Sequence, residues 1–207
     1  MTPEKLEGIE RPFRVGVLSD THVPDRVGDL HPDIVPSFKK FGVDMILHTG
    51  DVSSYSIIEC LQKIAPVQFV HGNRDWFNRK EAELVRYVSA AGIKIALTHG
   101  HGGWVSYIID KFPYMLAGYH FERYFRHLVK IKQDAQIVVF GHTHYTENRK
   151  EGDCLYFNSG SAYDKGNDGL GPTIGLLEIF KSGEIKGTII PLRKAIWRNN
   201  QWQFLHE

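Results

Sequence analysis

The sequence predicts an α/β fold, and three observations carry that reading. The first 75 residues alternate apolar strand-like runs with amphipathic helical runs in the order strand, helix, strand, helix, strand. The second half is richer in antiparallel-type strands separated by turn signals. Several of the apolar runs in both halves stop abruptly at Asp, Asn or His beside a glycine. An alternation of the first kind builds a largely parallel sheet covered by helices.

The elements follow in chain order. Val15–Leu18, within "FRVGVLSDTH", is a first strand that runs out at Asp20 and His22. "HPDIVPSFKKFG" carries apolar residues at helical spacing and a stop at Gly42. "VDMILHTGD" is a second strand ending at Gly50 and Asp51. "SYSIIECLQKI" is an amphipathic helix with Ser53 or Ser54 as N-cap. "PVQFVHGNRD" is a third strand ending at Gly72 and Asn73.

After Asp75 the pattern shifts. "ELVRYVSAAGIKIALTHGH" reads as two strands joined near Ala90-Ala91-Gly92, the second ending at His99-Gly100-His101. Residues 102–132 are rich in aromatics and patterned as helix, with a break at Pro113. "QIVVFGHTH" is a buried strand that ends in His142 and His144. "CLYFNSGSA", "TIGLLEIF" and "EIKGTIIPL" complete the strands, with a turn at Lys181-Ser182-Gly183. No repeat or linker divides the chain, so the expectation is one domain over residues 1–207 with an aromatic-rich helical insertion at about 102–132.

Bulk properties exclude several classes. A formal net charge of +1 gives no electrostatic case for a nucleic acid or an anionic membrane surface as partner. No apolar run reaches membrane-spanning length, and the N-terminal stretch lacks the apolar core of a signal peptide. Cys60 and Cys154 form no spaced motif, which fits a reducing, cytoplasmic setting. Eleven histidines are many for this length, and their positions give them meaning.

Five strand ends carry metal-competent side chains: Asp20 with His22, Asp51, Asn73, His99, and His142 with His144. Four have a glycine alongside, at Gly50, Gly72, Gly100 and Gly141, where the backbone can turn sharply and another group can approach closely. Open α/β sheets place their sites at the carboxyl ends of strands. Residues two apart in extended chain share a face, so each Asp-x-His or His-x-His pair can converge on one point. Two carboxylates, one amide oxygen and four imidazoles are too many ligands for one tetrahedral zinc. They suit two divalent ions, with Asp51, central in the series, as a bridge. Such donors accept Mn, Fe, Zn or Ni. The positive charge left over suits an anionic substrate.

The ordered set Asp-x-His, Gly-Asp, Gly-Asn, His-Gly-His, Gly-His-x-His resembles the calcineurin-like metallophosphoesterases across roughly Val15 to Pro191. The short length, "GNRD" and "NSGSA" are similar to the small YfcE-type phosphodiesterases and the related Vps29 scaffold proteins. The resemblance implies a four-layer α/β/β/α sandwich of two mixed sheets flanked by helices. It implies one ion held by Asp20, His22, Asp51 and His144, and another by Asp51, Asn73, His99 and His142. Manganese is the first expectation, with Ni, Fe, Zn or Mg as substitutes. The implied activity is hydrolysis of a small phosphodiester by in-line attack of a hydroxide bound to the dinuclear centre, with Asp51, Asn73 and Arg74 as catalytic candidates. The alternative is a Vps29-like protein-binding scaffold that retains its metal ligands.

One position departs from the family pattern. Arg74 stands where the family often has a histidine that helps the leaving group. A guanidinium does not give up its proton, so Arg74 is expected to stabilise phosphoryl charge and not to act as general acid. His48, Asp75 and His101 are expected to support the ligands or touch substrate. The 102–132 segment is a candidate subunit contact in a homo-oligomer or a pocket wall.

Overall fold

In the computed structural model the described residues are 11–75, 83–100, 121–164, 166 and 168–205. The first sheet starts from the strands β1 (Phe13–Leu18), β2 (Met45–His48) and β3 (Val67–Phe69), which run parallel in that order. The crossovers are the helices α1 (Ile34–Phe41) and α2 (Tyr55–Gln62).

In α1, Ile34 and Phe38 fall one turn apart and are buried on one face. Phe38 lies over Gly16 of β1, where a Cβ would come within 2.9 Å of the ring. Removing so deeply buried a ring costs about 3–5 kcal/mol. Gly42 ends α1 in a left-handed conformation (φ 59°), and its N–H returns to the carbonyls of the last turn. Ser54 is the N-cap of α2, its side chain accepting from the Ser56 N–H at 3.3 Å.

The same sheet is completed by the antiparallel strands β9 (Thr173–Ile179) and β10 (Ile185–Pro191), in the order β10-β9-β1-β2-β3. The second sheet has the order β4-β5-β6-β8-β7. Its members are β4 (Val85–Ala90), β5 (Ile93–Thr98), β6 (Ile137–Phe140), β7 (Thr146–Glu151) and β8 (Cys154–Ser159). Ala91 and Gly92, both at positive φ, turn β4 tightly into β5. The described part of the β5–β6 crossover is α3 (Phe121–Lys132).

Period-two alternation sorts the side chains into layers. Ile95, Leu97, Ile137, Val139 and Phe157 of the second sheet meet Val15, Val17, Leu47 and Leu177 of the first. On the outer face of the second sheet, Ala96, Val138, Phe140 and Tyr156 pack against Leu128 and Ile131 of α3. On the outer face of the first, Leu18, Ile46 and Leu176 pack against Ile34, Phe38, Ile58 and Leu61. The result is helix, sheet, sheet, helix, as expected. Among the described residues no helix is long and apolar enough to cross a membrane.

Three strands are new to the sequence reading. β7, "TENRKE", is an edge strand with four consecutive exposed residues, so it lacks an alternating apolar signal. β11 (Ala195–Arg198) and β12 (Gln201–Phe204) form a short separate hairpin turned by Asn199 and Asn200, both left-handed. The second half is richer in antiparallel pairs, as expected, at β4–β5, β7–β8, β9–β10 and β11–β12, but it also holds a parallel core. β5, β6 and β8 run parallel, and the fully buried "IVVF" of β6 is the continuous apolar run of a strand covered on both faces. Pro113 and most of the 102–132 segment lie outside the described residues.

Candidate metal centre

The carboxyl ends of β1, β2, β3, β5 and β6 meet at one edge of the sandwich. They are tied by backbone bonds from Asp20 N to Gly50 O at 3.1 Å, from Val70 N to His48 O at 3.2 Å and from Gly141 N to His99 O at 3.2 Å. All seven predicted ligands come to this edge, but not by the route that alternation suggested. Asp20, His22, Asp51, His142 and His144 each have φ between 51° and 71°. The Asp-x-His and His-x-His pairs therefore converge through left-handed turns, not along extended chain. Non-glycine residues held there carry backbone strain, which the surrounding structure must hold in place.

The glycines have steric reasons. A Cβ on Gly72 would overlap the Asp51 carboxylate, and one on Gly141 would overlap the Ser19 hydroxyl. A Cβ on Gly50 would sit 2.5 Å from the Gly72 nitrogen. Gly100 differs: its need is conformational, with φ 97°.

The polar atoms fall into two groups. In one, His144 Nε2 lies 3.3 Å from Asp20 Oδ1, and His22 Nε2 lies 3.8 Å from the same oxygen. In the other, the Asn73 side-chain oxygen is 3.1 Å from His99 Nε2 and 3.0 Å from His142 Nδ1. Asp51 stands between them, Oδ2 3.6 Å from His22 Nε2 and Oδ1 3.6 Å from His99 Nε2. Asp20 Oδ1 and His22 Nε2 are buried and have no hydrogen-bond partner among the described residues. Ligand atoms of Asp20, His22 and His144, and again of Asp20, Asp51 and His99, lie within 4.8 Å of one another. Orphaned buried lone pairs on a carboxylate and an imidazole, with further imidazoles and an amide oxygen converging beside them, fit divalent cations.

The outward sides of the imidazoles are held as well. His22 Nδ1 faces Asp25 at 3.3 Å, His144 Nδ1 faces Asp164 at 3.6 Å, and His99 Nδ1 donates to the Thr49 carbonyl at 2.8 Å. Such contacts fix the ring and turn the other nitrogen inward. Tyr163 stands edge-on to His22, with ring centroids 5.1 Å apart, and to His144 at 6.0 Å. The sequence reading missed Asp25, Asp164 and Tyr163. Asp25 had a faint signal, three residues after His22 in "HVPD". Asp164 and Tyr163 had none, since only the fold brings them near.

Electrostatics point to a position that wants a cation. Burial alone would lower the His144 pKa, but Asp20 and Asp164 override it and push it up to about 10. Burial works to raise Asp20, and the surrounding histidines, His144 first, instead hold it well below the usual carboxylate range. Burial raises Asp51 and lowers His22. A proton or a divalent cation can supply the positive charge the two carboxylates favour.

The remaining candidates sort cleanly. Asp75 accepts from Ser53 N at 2.7 Å and Gly72 N at 2.8 Å, so it braces the β2 and β3 loops against each other. His48 accepts from Gly50 N at 3.2 Å through Nδ1, which leaves Nε2 to donate to Thr21 Oγ1 at 3.1 Å. It joins the loops that carry Asp20, His22 and Asp51 without reaching those side chains. Arg74 donates its backbone N–H to Asp51 Oδ1 at 2.8 Å, and its guanidinium pairs with Asp25 at 3.0 Å. Asn158 of "NSGSA" is buried, donates to Gly141 O and Thr143 Oγ1, and supports the Gly-His-x-His turn from below. His101 lies outside the described residues.

A sandwich of two mixed sheets with this donor set at its strand ends is the scaffold of a metal-dependent hydrolase. The chain belongs to the calcineurin-like phosphoesterase superfamily, whose domain description matches residues 13–182. A probable metallophosphoesterase of Methanothermobacter thermautotrophicus is 30% identical over 147 residues, 71% of this chain and 76% of that protein. The phosphodiesterase MJ0936 of Methanocaldococcus jannaschii is 25% identical over 172 residues, 82% of this chain and 95% of that protein. Among solved structures, vacuolar protein sorting 29 of Cryptosporidium parvum superposes with a TM-score of 0.63 at 19% identity, covering 95% of this chain and 97% of that one. The zinc-complexed Vps29 of Entamoeba histolytica has a TM-score of 0.58 at 23% identity, covering 86% and 98%. The family and its named relatives support a hydrolase acting on phosphate esters.

Proposed function

We propose that this protein is a phosphodiesterase with a dinuclear metal centre, hydrolysing a small phosphodiester. The observation that carries the reading is the placement of Asp51, with one oxygen facing each of the two ligand groups. Asp20, His22 and His144 would hold one ion with Asp51, and Asn73, His99 and His142 the other. When bound, two divalent ions supply an attacking hydroxide at neutral pH and neutralise phosphoryl charge. Manganese is the proposed native metal, by the family likeness.

The chain's own residues do the rest. Asp25, Asp164 and the Thr49 carbonyl orient the imidazoles. The Arg74 N–H fixes one Asp51 oxygen, and the guanidinium, half exposed at the rim, is the group available to phosphoryl oxygens. No side chain needs to form a covalent bond to phosphorus.

A second reading, a protein-binding scaffold that keeps its metal ligands, is favoured by the likeness of the fold to Vps29. One experiment separates the two. Chelated protein is reloaded separately with Mn, Mg, Ni or Zn and assayed on a p-nitrophenyl phosphodiester and the matching monoester, with Asp51→Asn as control. Metal-dependent turnover of the diester that is lost in the variant supports the enzyme. Two bound metals with no turnover of either ester sinks it in favour of the scaffold.

A further inference from the structure

Beside the metal centre lies a cavity of about 460 Å³ whose wall includes Arg26, Tyr163, Lys194, Ile196, Trp197 and Leu205. Four of these six come from the hairpin β11–β12 and its flanks, beyond residue 182 where the family match ends. The hairpin is fixed in place. The Trp197 ring lies so close over Gly28 that a Cβ there would meet it at 2.5 Å. Trp202 stands edge-on to Trp197 at 5.6 Å and donates its indole N–H to the Asp29 carbonyl at 3.1 Å. Arg193 forks onto Asp33, and the His31 ring reaches the Arg193 carbonyl at 3.0 Å. Apart from the Trp197–Trp202 pair, these ties land on residues 28–33, just after the loop that carries His22, Asp25 and Arg26.

The cavity and the centre share a wall. Tyr163 lines the cavity and stands edge-on to His22 and His144, while Asp164 lines it and faces His144. Burial and Asp164 push the Tyr163 pKa up to about 12, so it stays a neutral phenol, accepting from Arg26 Nη1 at 3.0 Å. Among the described residues the lining is mostly aromatic and aliphatic, with Arg26 and Lys194 as its cations and Asp164 as a carboxylate on the side of the centre. The size is that of a small-molecule site, and an indole wall beside the ligand groups matches the flat ring of a substituent whose phosphoryl group is held at the centre.

We propose that this cavity is the subsite for the ring-bearing substituent of the substrate, so that the enzyme selects phosphodiesters carrying a nucleobase or comparable aromatic group over small alkyl diesters. The assignment rests on the phosphodiesterase reading for its substrate class, while the ring pocket itself can be measured without turnover. The probes are thymidine 5′-monophosphate and methyl phosphate, titrated calorimetrically into the metal-loaded full chain. The matching p-nitrophenyl diesters are assayed in parallel.

The nucleotide should bind at least about 10-fold more tightly than methyl phosphate, a gap of about 1.4 kcal/mol. Leu205→Glu, at a side chain 48% exposed, and Trp197→Ala should both close that gap to under about 3-fold while leaving methyl phosphate binding unchanged. Because Trp197→Ala can loosen the hairpin, Leu205→Glu is the deciding variant, and an unchanged melting temperature certifies its fold. Equal binding of the two phosphates overturns the subsite, as does a gap that survives Leu205→Glu. If the nucleotide binds through the pocket but neither diester turns over with any metal, the pocket stands and the phosphodiesterase reading falls.

Discussion

The two ligand groups at the strand ends are built from different chemistry. The group around Asp20, His22 and His144 is anionic, and carboxylates stand behind both of its imidazoles, Asp25 behind His22 and Asp164 behind His144. The group around Asn73, His99 and His142 meets on a neutral amide oxygen, and a backbone carbonyl stands behind His99. A carboxylate partner makes an imidazole a more basic ligand than a carbonyl partner does. The first position should therefore hold its cation more firmly, and the second should exchange first. Asp51 faces both, one oxygen toward His22 and the other toward His99, and Asp20 lies against it, within reach of His99 as well as of His22 and His144.

Removing the charge of Asp51 tests that sharing most severely. Asp51→Asn keeps the shape and the acceptor for the Arg74 N–H but takes away the carboxylate between the two groups. Changing a residue that merely supports a ligand already costs about 10–100-fold, so this variant should lose more than about 100-fold in kcat/KM and bind fewer than two ions by elemental analysis. Retention of both ions and of activity would show that Asp51 does not bridge.

Asp164→Asn addresses one side alone. The His144 ring loses its anionic partner, and the ion beside Asp20 should bind about 10–100-fold more weakly. Calorimetric titration of chelated protein should show that step weakened and the step at Asn73, His99 and His142 unchanged. Equal weakening of both would mean that the two groups act as one unit.

His48 ties together the loops that serve both sides, and its cost shows as acid sensitivity. Burial lowers its pKa to about 4, against the smaller upward pull of Asp75 and Asp20. A histidine whose folded pKa is depressed contributes stability that is complete above pH 6.5 and is lost as pH falls through the folded value. The span from about 6.5 to about 4 corresponds to about 3 kcal/mol. Urea unfolding of metal-free protein at pH 7 and pH 4.5 should reveal that loss in the wild type and a clearly smaller one in His48→Gln. An identical loss in both would remove His48 as its source.

The same contrast explains what could be read from sequence. Asp20, His22, Asp51, Asn73, His99, His142 and His144 were legible because each ends an apolar strand, a pattern local in the chain. Gly50, Gly72 and Gly141 were legible as close-approach positions, and the structure supplies the groups that approach. The convergence mechanism was not legible, because left-handed φ at Asp20 or His142 leaves no trace in residue type. Nor were Asp164 and Tyr163, which reach His144 only after β8 and the loop beyond it have folded back. The β11–β12 hairpin was missed because "AIWR" and "QWQF" are mostly half-buried or exposed and mix polar with apolar residues, without the continuous buried apolar run that marks the equally short β6.

Arg74 should give the smallest effect, for a reason the sequence alone did not contain. Its firmest contact with the centre is its backbone N–H on Asp51, which any non-proline residue supplies. Its guanidinium is paired with Asp25 at a half-exposed edge, where an ion pair contributes about 0–1 kcal/mol. To reach a phosphoryl oxygen it must give up Asp25, so its gain in the transition state is net of that pairing. Arg74→Ala should therefore lower kcat on diesters by about 3–10-fold, roughly 1 kcal/mol, with metal content unchanged. Arg74→Lys should recover part of the loss, because the charge remains although the fork does not. An unaltered kcat in Arg74→Ala would confine the guanidinium to holding Asp25 against His22, on the anionic side of the centre.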